Sequence, residues 1–235
     1  MPVSWTTGLG HWLFPPLCLL CGAPGSGGLD LCGGCRHDLP ANSVFCRRCA
    51  TPLPVPGVCG RCQSRPPAFD MVVAPYLYQP PLDHLLIGLK FHGQLSHAPL
   101  LGQLLLEGLE RRRLPRPEVL IPVPMHPRRL RERGFNQALE IARPVARRLG
   151  LSLRWDLAVR LRPTPPQSGL NEAARQRNLR DAFQCTGCGP LPYRHVAILD
   201  DVMTTGSTVT ELARVLKDRG VATVSVWVCA RTPRT

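Results

Sequence analysis

The chain has 235 residues, 44% of them hydrophobic, enough to bury a sizeable core and to exclude global disorder. Its 29 Lys and Arg against 16 Asp and Glu give a formal charge of +13, which favours polyanions or phosphorylated ligands unless it reflects only a compositional bias toward Arg. No stretch resembles a membrane span, and residues 1–17 lack a basic n-region and are broken by Gly and Pro-Pro, so a signal peptide is not expected and the expected location is cytoplasmic.

The first informative stretch is rich in cysteine. Eight of the 11 cysteines form four Cys-x-x-Cys pairs: Cys18/Cys21, Cys32/Cys35, Cys46/Cys49 and Cys59/Cys62. Two thiolates separated by two residues ligate one metal from a tight knuckle, and two knuckles complete a tetrahedral, all-cysteine zinc site. In a cytosolic chain, repeated pairs of this kind mean metal and not disulfides. Two structural zinc ions are expected, each with all its ligands from protein and no open position for catalysis. The pairs are expected to combine sequentially, not interleaved. Few large apolar residues occur over 18–67, so metal has to supply folding free energy that a core normally would. Arg36, Arg47, Arg48, Arg61 and Arg65 make the region mildly basic, which raises DNA contact as one reading beside ordinary solvent exposure. Trp12-Leu-Phe-Pro-Pro-Leu17 is expected to form an apolar lid on it, with an exposed partner anchor as the alternative. Arg65-Pro-Pro67 reads as a stiff linker dividing residues 1–67 from 68–235.

Beyond the linker, Met71–Tyr78 reads as a strand and a helix is expected after Pro80-Pro81. A longer helix over about 96–113 carries an apolar stripe of Leu100, Leu101, Leu104, Leu105 and Leu109. Leu89-Lys-Phe-His-Gly93 between them is expected as a solvated loop, with Lys90 and His92 as candidates for lying near a ligand. An apolar strand then ends at Pro122, and a Pro-punctuated loop follows with His126, Arg128, Arg129, Arg131 and Arg133. Such a cluster at a strand's carboxyl end suits a pyrophosphate, because Arg holds its oxygens bidentately and open α/β sheets bind ligands at that edge. A solvated Arg-rich loop is the plainer alternative. A helical pattern runs from Phe135 to Leu149 with Pro144 inside it. Residues 151–183 are Arg-rich, including Arg160, Arg162, Arg175 and Arg177. Cys185-Thr-Gly-Cys188 is a single knuckle that cannot fill a zinc site and reads as a turn with two thiols, and Cys229 reads as a core residue closing the last strand.

The chain is organised around Val196-Ala-Ile-Leu-Asp-Asp-Val-Met-Thr-Thr-Gly-Ser-Thr208. Four apolar residues without alternation suit a strand buried on both faces, as in a parallel sheet. The Thr/Gly/Ser loop offers amides and hydroxyls ahead of a helix carrying Val209, Leu212, Ala213 and Leu216, a combination that attracts anions. Asp200 and Asp201 beside such a cradle make electrostatic sense if the ligand also carries hydroxyls or a divalent metal. A phosphorylated sugar fits both halves.

These thirteen residues resemble the phosphoribosyl pyrophosphate (PRPP) motif of type I phosphoribosyltransferases. The resemblance implies that Asp200 and Asp201, the candidate catalytic pair, face the ribose hydroxyls. It implies equally that Thr204, Thr205, Gly206, Ser207 and Thr208 wrap the 5-phosphate, with Mg²⁺ accompanying PRPP. Three further strings closely resemble the ComF competence-protein family of the ComFC type: Pro-Val-Pro-x-His-Pro-x-Arg-Leu-Arg-x-Arg-Gly-Phe-Asn-Gln over 122–137, Thr164-Pro-Pro-Gln-Ser-Gly-Leu170, and Arg175-x-x-Asn-Leu-Arg-Asp-Ala-Phe183. That resemblance runs from Leu13 to Arg231. It implies an N-terminal double zinc ribbon before an α/β, doubly wound, mainly parallel phosphoribosyltransferase domain, with residues 151–183 as a mobile hood over the active site. It also implies a role in DNA uptake during natural transformation or in use of external DNA. Two functions follow from it. One is a phosphoribosyltransferase, hence a glycosyltransferase, of unknown acceptor. The other is a catalytically inactive PRPP sensor that binds single-stranded DNA or a DNA-translocating helicase. Aromatic residues are scarce in the Arg-rich segments, which weighs against single-strand binding. Intact motifs favour ligand binding under either function.

Overall fold

A strand buried on both faces has to be apolar along its whole length, and β7 (His195–Met203) meets that demand through Val196, Ala197, Ile198 and Leu199, all fully buried. Successive side chains alternate between two cores: Val196 and Ile198 enter one, Ala197 and Leu199 the other. The computed structural model describes residues 15–112, 114–162 and 181–233. In it β7 is the middle of a parallel sheet ordered β1 (Met71–Val73), β8 (Thr223–Arg231), β7, β3 (Val119–Pro122), β4 (Ser152–Leu153). A further short strand, β2 (Tyr76–Leu77), extends β1 along β8. The strand expected over Met71–Tyr78 is therefore in two pieces, because Pro75 has no N–H to give the ladder.

One face is covered by α3 (Leu82–His92), α4 (His97–Glu110) and α6 (Gln137–Leu149). Their stripes, Leu101, Leu105, Ile141 and Val145 among them, pack with Ala197 and Leu199. On the other face α7 (Ser207–Lys217) buries Val209, Leu212, Ala213 and Leu216 beside Val196 and Ile198. The antiparallel pair β5 (Ala158–Arg160) and β6 (Phe183–Cys185) packs outside α7. The crossover through α6 runs from β3 to β4, and the one through α7 runs from β7 to β8 in the opposite direction. The winding thus switches between β3 and β7, which opens a crevice at their carboxyl ends.

Two segments expected as loops are helical, and both border that crevice. Lys90 to His92 form the last turn of α3, which Gly93 closes with a left-handed φ of 65°. The Pro-punctuated loop contains α5 (Pro127–Arg133), started by Pro127 at its first position. Helix α6 begins at Gln137 because Asn136 caps it. The Asn136 Oδ1 accepts from Ala138 N at 3.0 Å, and its Nδ2 donates to Val123 O at 3.1 Å, fixing the helix start to the end of β3.

The cysteine-rich segment, with the short helical turns α1 (Gly33–His37) and α2 (Gly60–Ser64), lies against the sheet's β1–β2 edge. Its first half adds Cys18, Leu31 and Leu39 to the core under α3 and α4. Its second half adds Cys46, Cys49, Ala50 and Cys62 to the core on the opposite face. Between them the chain pairs with the edge: Leu77 N donates to Pro40 O at 2.7 Å and Asn42 N to Pro75 O at 2.8 Å. An edge that would otherwise invite pairing with another chain is covered. The packing crosses the sequence boundary at residue 67. The lid expected of Trp12-Leu-Phe falls outside the described residues, and none of the described helices is long and apolar enough to cross a membrane.

Asn42 carries much of this seam, since its buried Nδ2 donates to Ala50 O at 2.9 Å and to Ala74 O at 3.1 Å. Asn42→Ala leaves both carbonyls short of a donor and should cost about 1–3 kcal/mol. The expected result is a lower urea midpoint with an unchanged slope.

Candidate functional site

At the carboxyl end of β7, Asp200 is half-buried and Asp201 is 3% exposed. Each accepts from the next backbone amide, Asp200 Oδ1 from Asp201 N at 2.9 Å and Asp201 Oδ1 from Val202 N at 2.8 Å. That leaves Asp201 Oδ2 buried without a hydrogen bond, with Lys90 Nζ 3.3 Å away as its counter-charge. Burial, and after it the charge on Asp201, pushes the pKa of Asp200 well above the usual carboxylate range, while Lys90 pulls it back. The same contact raises the pKa of Lys90, with the charge of Asp201 as the main cause.

The chain then turns through Thr204–Gly206 into α7. Gly206 has φ 81°, and a Cβ there would stand 2.4 Å from Met203 Cε, so only glycine fits the turn. Thr205 Oγ1 lies 2.9 Å from Ser207 Oγ and accepts weakly from Ser207 N at 3.4 Å. The first turn of α7 carries amides that the helix cannot pair, and its dipole adds to their attraction for an anion.

A cavity of about 330 Å³ lies at this edge, lined by Asp200, Asp201, Thr204 and Thr208 and by the cations Lys90, Arg129, Arg133 and Arg160. The basic loop read from the sequence divides here. Arg129 and Arg133, four apart on α5, share the helix face that lines the cavity. Arg128 is exposed and pairs with Glu132 at 2.9 Å, and Arg131 is exposed. His126 caps α5, its Nδ1 accepting from Arg128 N at 3.2 Å. Lys90, expected in a solvated loop, reaches the acids because α3 runs one turn further than its apolar pattern suggested. Arg160 reaches the cavity from β5. The rest of the expected hood, 163–180 with Thr164, Gln167, Arg175 and Asn178, lies outside the described residues.

The cysteines assemble as two separate groups. The sulfurs of Cys18, Cys21, Cys32 and Cys35 all lie within 4.8 Å of one another, as do those of Cys46, Cys49, Cys59 and Cys62, so the knuckles pair sequentially. Cys21 and Cys32 are 3.6 Å apart and Cys49 and Cys59 3.7 Å, close to the roughly 3.8 Å that tetrahedral Zn–S bonds of about 2.3 Å require. Amides turn toward the sulfurs, Cys35 N to Cys32 Sγ at 3.4 Å and Cys59 N to Cys46 Sγ at 3.3 Å. Burial opposes ionisation of Cys49, but hydrogen bonds from Thr51, Cys62 and Cys46 prevail and draw its pKa down to about 6. Both groups fit a closed zinc site, in which the eight thiolates hold the metal and the chain has no further ligand to add. Cys185 is instead buried in β6, where burial raises its pKa, and Cys188 is exposed.

A family model described as Double zinc ribbon domain matches residues 9–63. Over nearly the whole chain the sequence is similar to proteins named DNA utilization protein YhgH. The identity is 40% with that of Escherichia coli, covering 93% of this chain and 98% of the relative. It is 38% with that of Salmonella typhi, over the same shares. A protein named Competence protein F from Haemophilus influenzae is 33% identical, covering 86% of this chain and 90% of that one.

The proton on Asp200 also bears on stability. Its folded pKa lies above the unfolded value of about 3.9, so the group favours the folded state at low pH and loses that contribution as pH rises from there through the folded pKa. Asp200→Asn removes the ionisation. It should raise the thermal midpoint at pH 8 by about 2–4 °C, the shift that ~1 kcal/mol makes in a chain of this size. The gain should shrink as pH approaches 4, and a midpoint lower than that of the parent at pH 8 contradicts it.

Proposed function

The chain belongs to the ComF family of competence and DNA-utilisation proteins, and on that premise we propose that the crevice beside β7 binds PRPP with Mg²⁺, in the service of DNA uptake or the use of external DNA. The observation that carries this reading is one cavity joining a phosphate-type loop, a buried acceptor oxygen and four cations. Amides and hydroxyls of Thr204–Thr208 receive the 5-phosphate. Asp201 Oδ2, which has a lone pair to offer and no donor, accepts from a ribose hydroxyl, and Asp200 accepts from its neighbour. Arg129 and Arg133 hold the pyrophosphate oxygens. Lys90, relieved of Asp201 by the incoming hydroxyl, turns its charge toward the same oxygens. Asp200 and Asp201 fit a Mg²⁺ ion as well as the hydroxyls, and that ion would supply charge neutralisation on the pyrophosphate.

A second reading, PRPP sensing without transfer, is favoured by a contact between the zinc ribbon and the loop: Arg61 donates to Thr205 O at 3.3 Å. A ligand that reshapes the loop would then be felt by the ribbon. The ribbon itself offers less to DNA than its charge suggests. Arg36 is paired with Glu107 at 2.7 Å and Arg48 donates to Pro67 O, whereas Arg47 and Arg65 are exposed.

Isothermal titration of the zinc-loaded protein with PRPP and Mg²⁺ tests the assignment. Replacing both Asp200 and Asp201 with Ala should weaken binding about 100-fold or more, as expected for two charged hydrogen-bond acceptors, with the fold retained. Equal affinity in the double variant would remove these residues from the site. Pyrophosphate release from bound PRPP, with and without added bases, separates transfer from sensing.

A further inference from the structure

Arg231, the last residue of β8, has no exposed surface, and its guanidinium is hydrogen-bonded on several sides. A buried charge of this kind persists only when acceptors surround it. Here they come from two places. Its Nε donates to Cys49 O at 3.1 Å and one Nη to Thr51 Oγ1 at 2.8 Å, both in the second cysteine group. Its other Nη donates to Met203 O at 2.7 Å, to Thr204 O and to Thr232 O at 3.1 Å, so that it grips the start of the Thr204–Thr208 loop. Thr51 stands two residues from Cys49, so the guanidinium is held at a zinc ligand's own carbonyl and at that ligand's near neighbour. Among the described residues the first cysteine group has no such hydrogen bond to the loop. It packs under α3 and α4, on the other face of the sheet.

We infer that Arg231 is a positioning residue through which the second zinc site shapes the phosphate-binding loop. Loading of Cys46, Cys49, Cys59 and Cys62 therefore governs anion binding at Thr204–Thr208, and loading of the first group does not. The two ribbons, alike in sequence, have different duties: the first covers the sheet, and the second is a wall of the ligand site. The binding part of this inference rests on the proposed function, and the loop-ordering part stands without it. The planar guanidinium is what the role needs, because its three nitrogens donate along different edges to separate acceptors, whereas an ammonium has one nitrogen.

The test uses the full chain with Arg231→Lys, Thr51→Ala, Cys59→Ser and Cys21→Ser variants. Zinc content, amide exchange over residues 204–208 and titration with ribose 5-phosphate and with PRPP plus Mg²⁺ are read for each. Cys59→Ser should lose one zinc and speed loop exchange about tenfold or more, the size of effect that outer-shell contacts commonly have. Arg231→Lys should keep both zinc ions yet show the faster exchange and about tenfold weaker binding. Thr51→Ala, the milder change, should move in the same direction by less, which keeps the inference testable if Arg231→Lys fails to fold. Cys21→Ser should lose one zinc and leave loop exchange as in the parent. Parent-like exchange in Arg231→Lys, or equal loop effects of Cys21→Ser and Cys59→Ser, overturns the inference. If the parent binds neither probe, the proposed function fails, and the exchange data alone decide the role of Arg231.

Discussion

Everything at the crevice hangs from the burial of β7 on both faces. A central parallel strand is held by neighbours on each side and by a core above and below, so its end is the most fixed point that this chain can offer. The sequence uses that rigidity to carry two carboxylates to the sheet's edge, directly after four residues that have no contact with water. Placing acids there is unfavourable by itself. Two local amides, the Lys90 ammonium and a raised Asp200 pKa reduce the cost without removing it. What is left over is an acceptor oxygen at Asp201 with no donor, held by a scaffold too stiff to turn it away.

The N-terminal cysteine segment solves a different problem. A segment with so few large side chains cannot enclose a core, and its metal-held knuckles make turns that bring small apolar surfaces to both faces of the sheet. Because it straddles the β1–β2 edge, it replaces the next strand that an open sheet would otherwise need there. Its arginines follow the same logic. Arg36 and Arg61 reach acceptors across the seam, so part of the positive charge that suggests a polyanion partner holds the ribbon to the body of the protein.

The sequence made legible what is periodic or locally spaced. The apolar run of Val196–Leu199 marked the buried strand, the knuckle spacing marked two metal groups though not which pairs join in each, and the stripe of Leu100–Leu109 marked α4. It did not show that residues 124–133 are half helix, because a Pro-rich, Arg-rich string has no apolar stripe, and only the cap by His126 and Pro127 starts α5. Those two turns of helix decide which arginines count, since they place Arg129 and Arg133 together and turn Arg128 and Arg131 away. Lys90 was a candidate for lying near a ligand, but its place on a helix was hidden for a similar reason: the end of α3 is polar, and polarity there reads as loop. Arg231 left no local trace at all. Its partners lie 27 to 182 positions away along the chain, apart from Thr232, and a charged residue at a strand end looks like a solvated one until the fold closes over it.

The cavity's cations press on one another. The pKa of Arg133 is lowered by burial and further by Arg129, and that of Arg160 by burial and again by Arg129. Each therefore stands where its charge is less favourable than in water, with Asp200 and Asp201 only partly offsetting it. A site in this state is preorganised. On the proposed reading, a polyanion relieves that crowding, and a neutral or cationic ligand does not. The paired acids sharpen the choice, because an anion without a hydroxyl would meet their negative charge with no donor to offer. An anion that also carries hydroxyls satisfies the arginines and the Asp201 oxygen together. On the proposed reading, selectivity at this edge comes from acids on β7 set beside cations that α3, α5 and β5 bring to the same cavity.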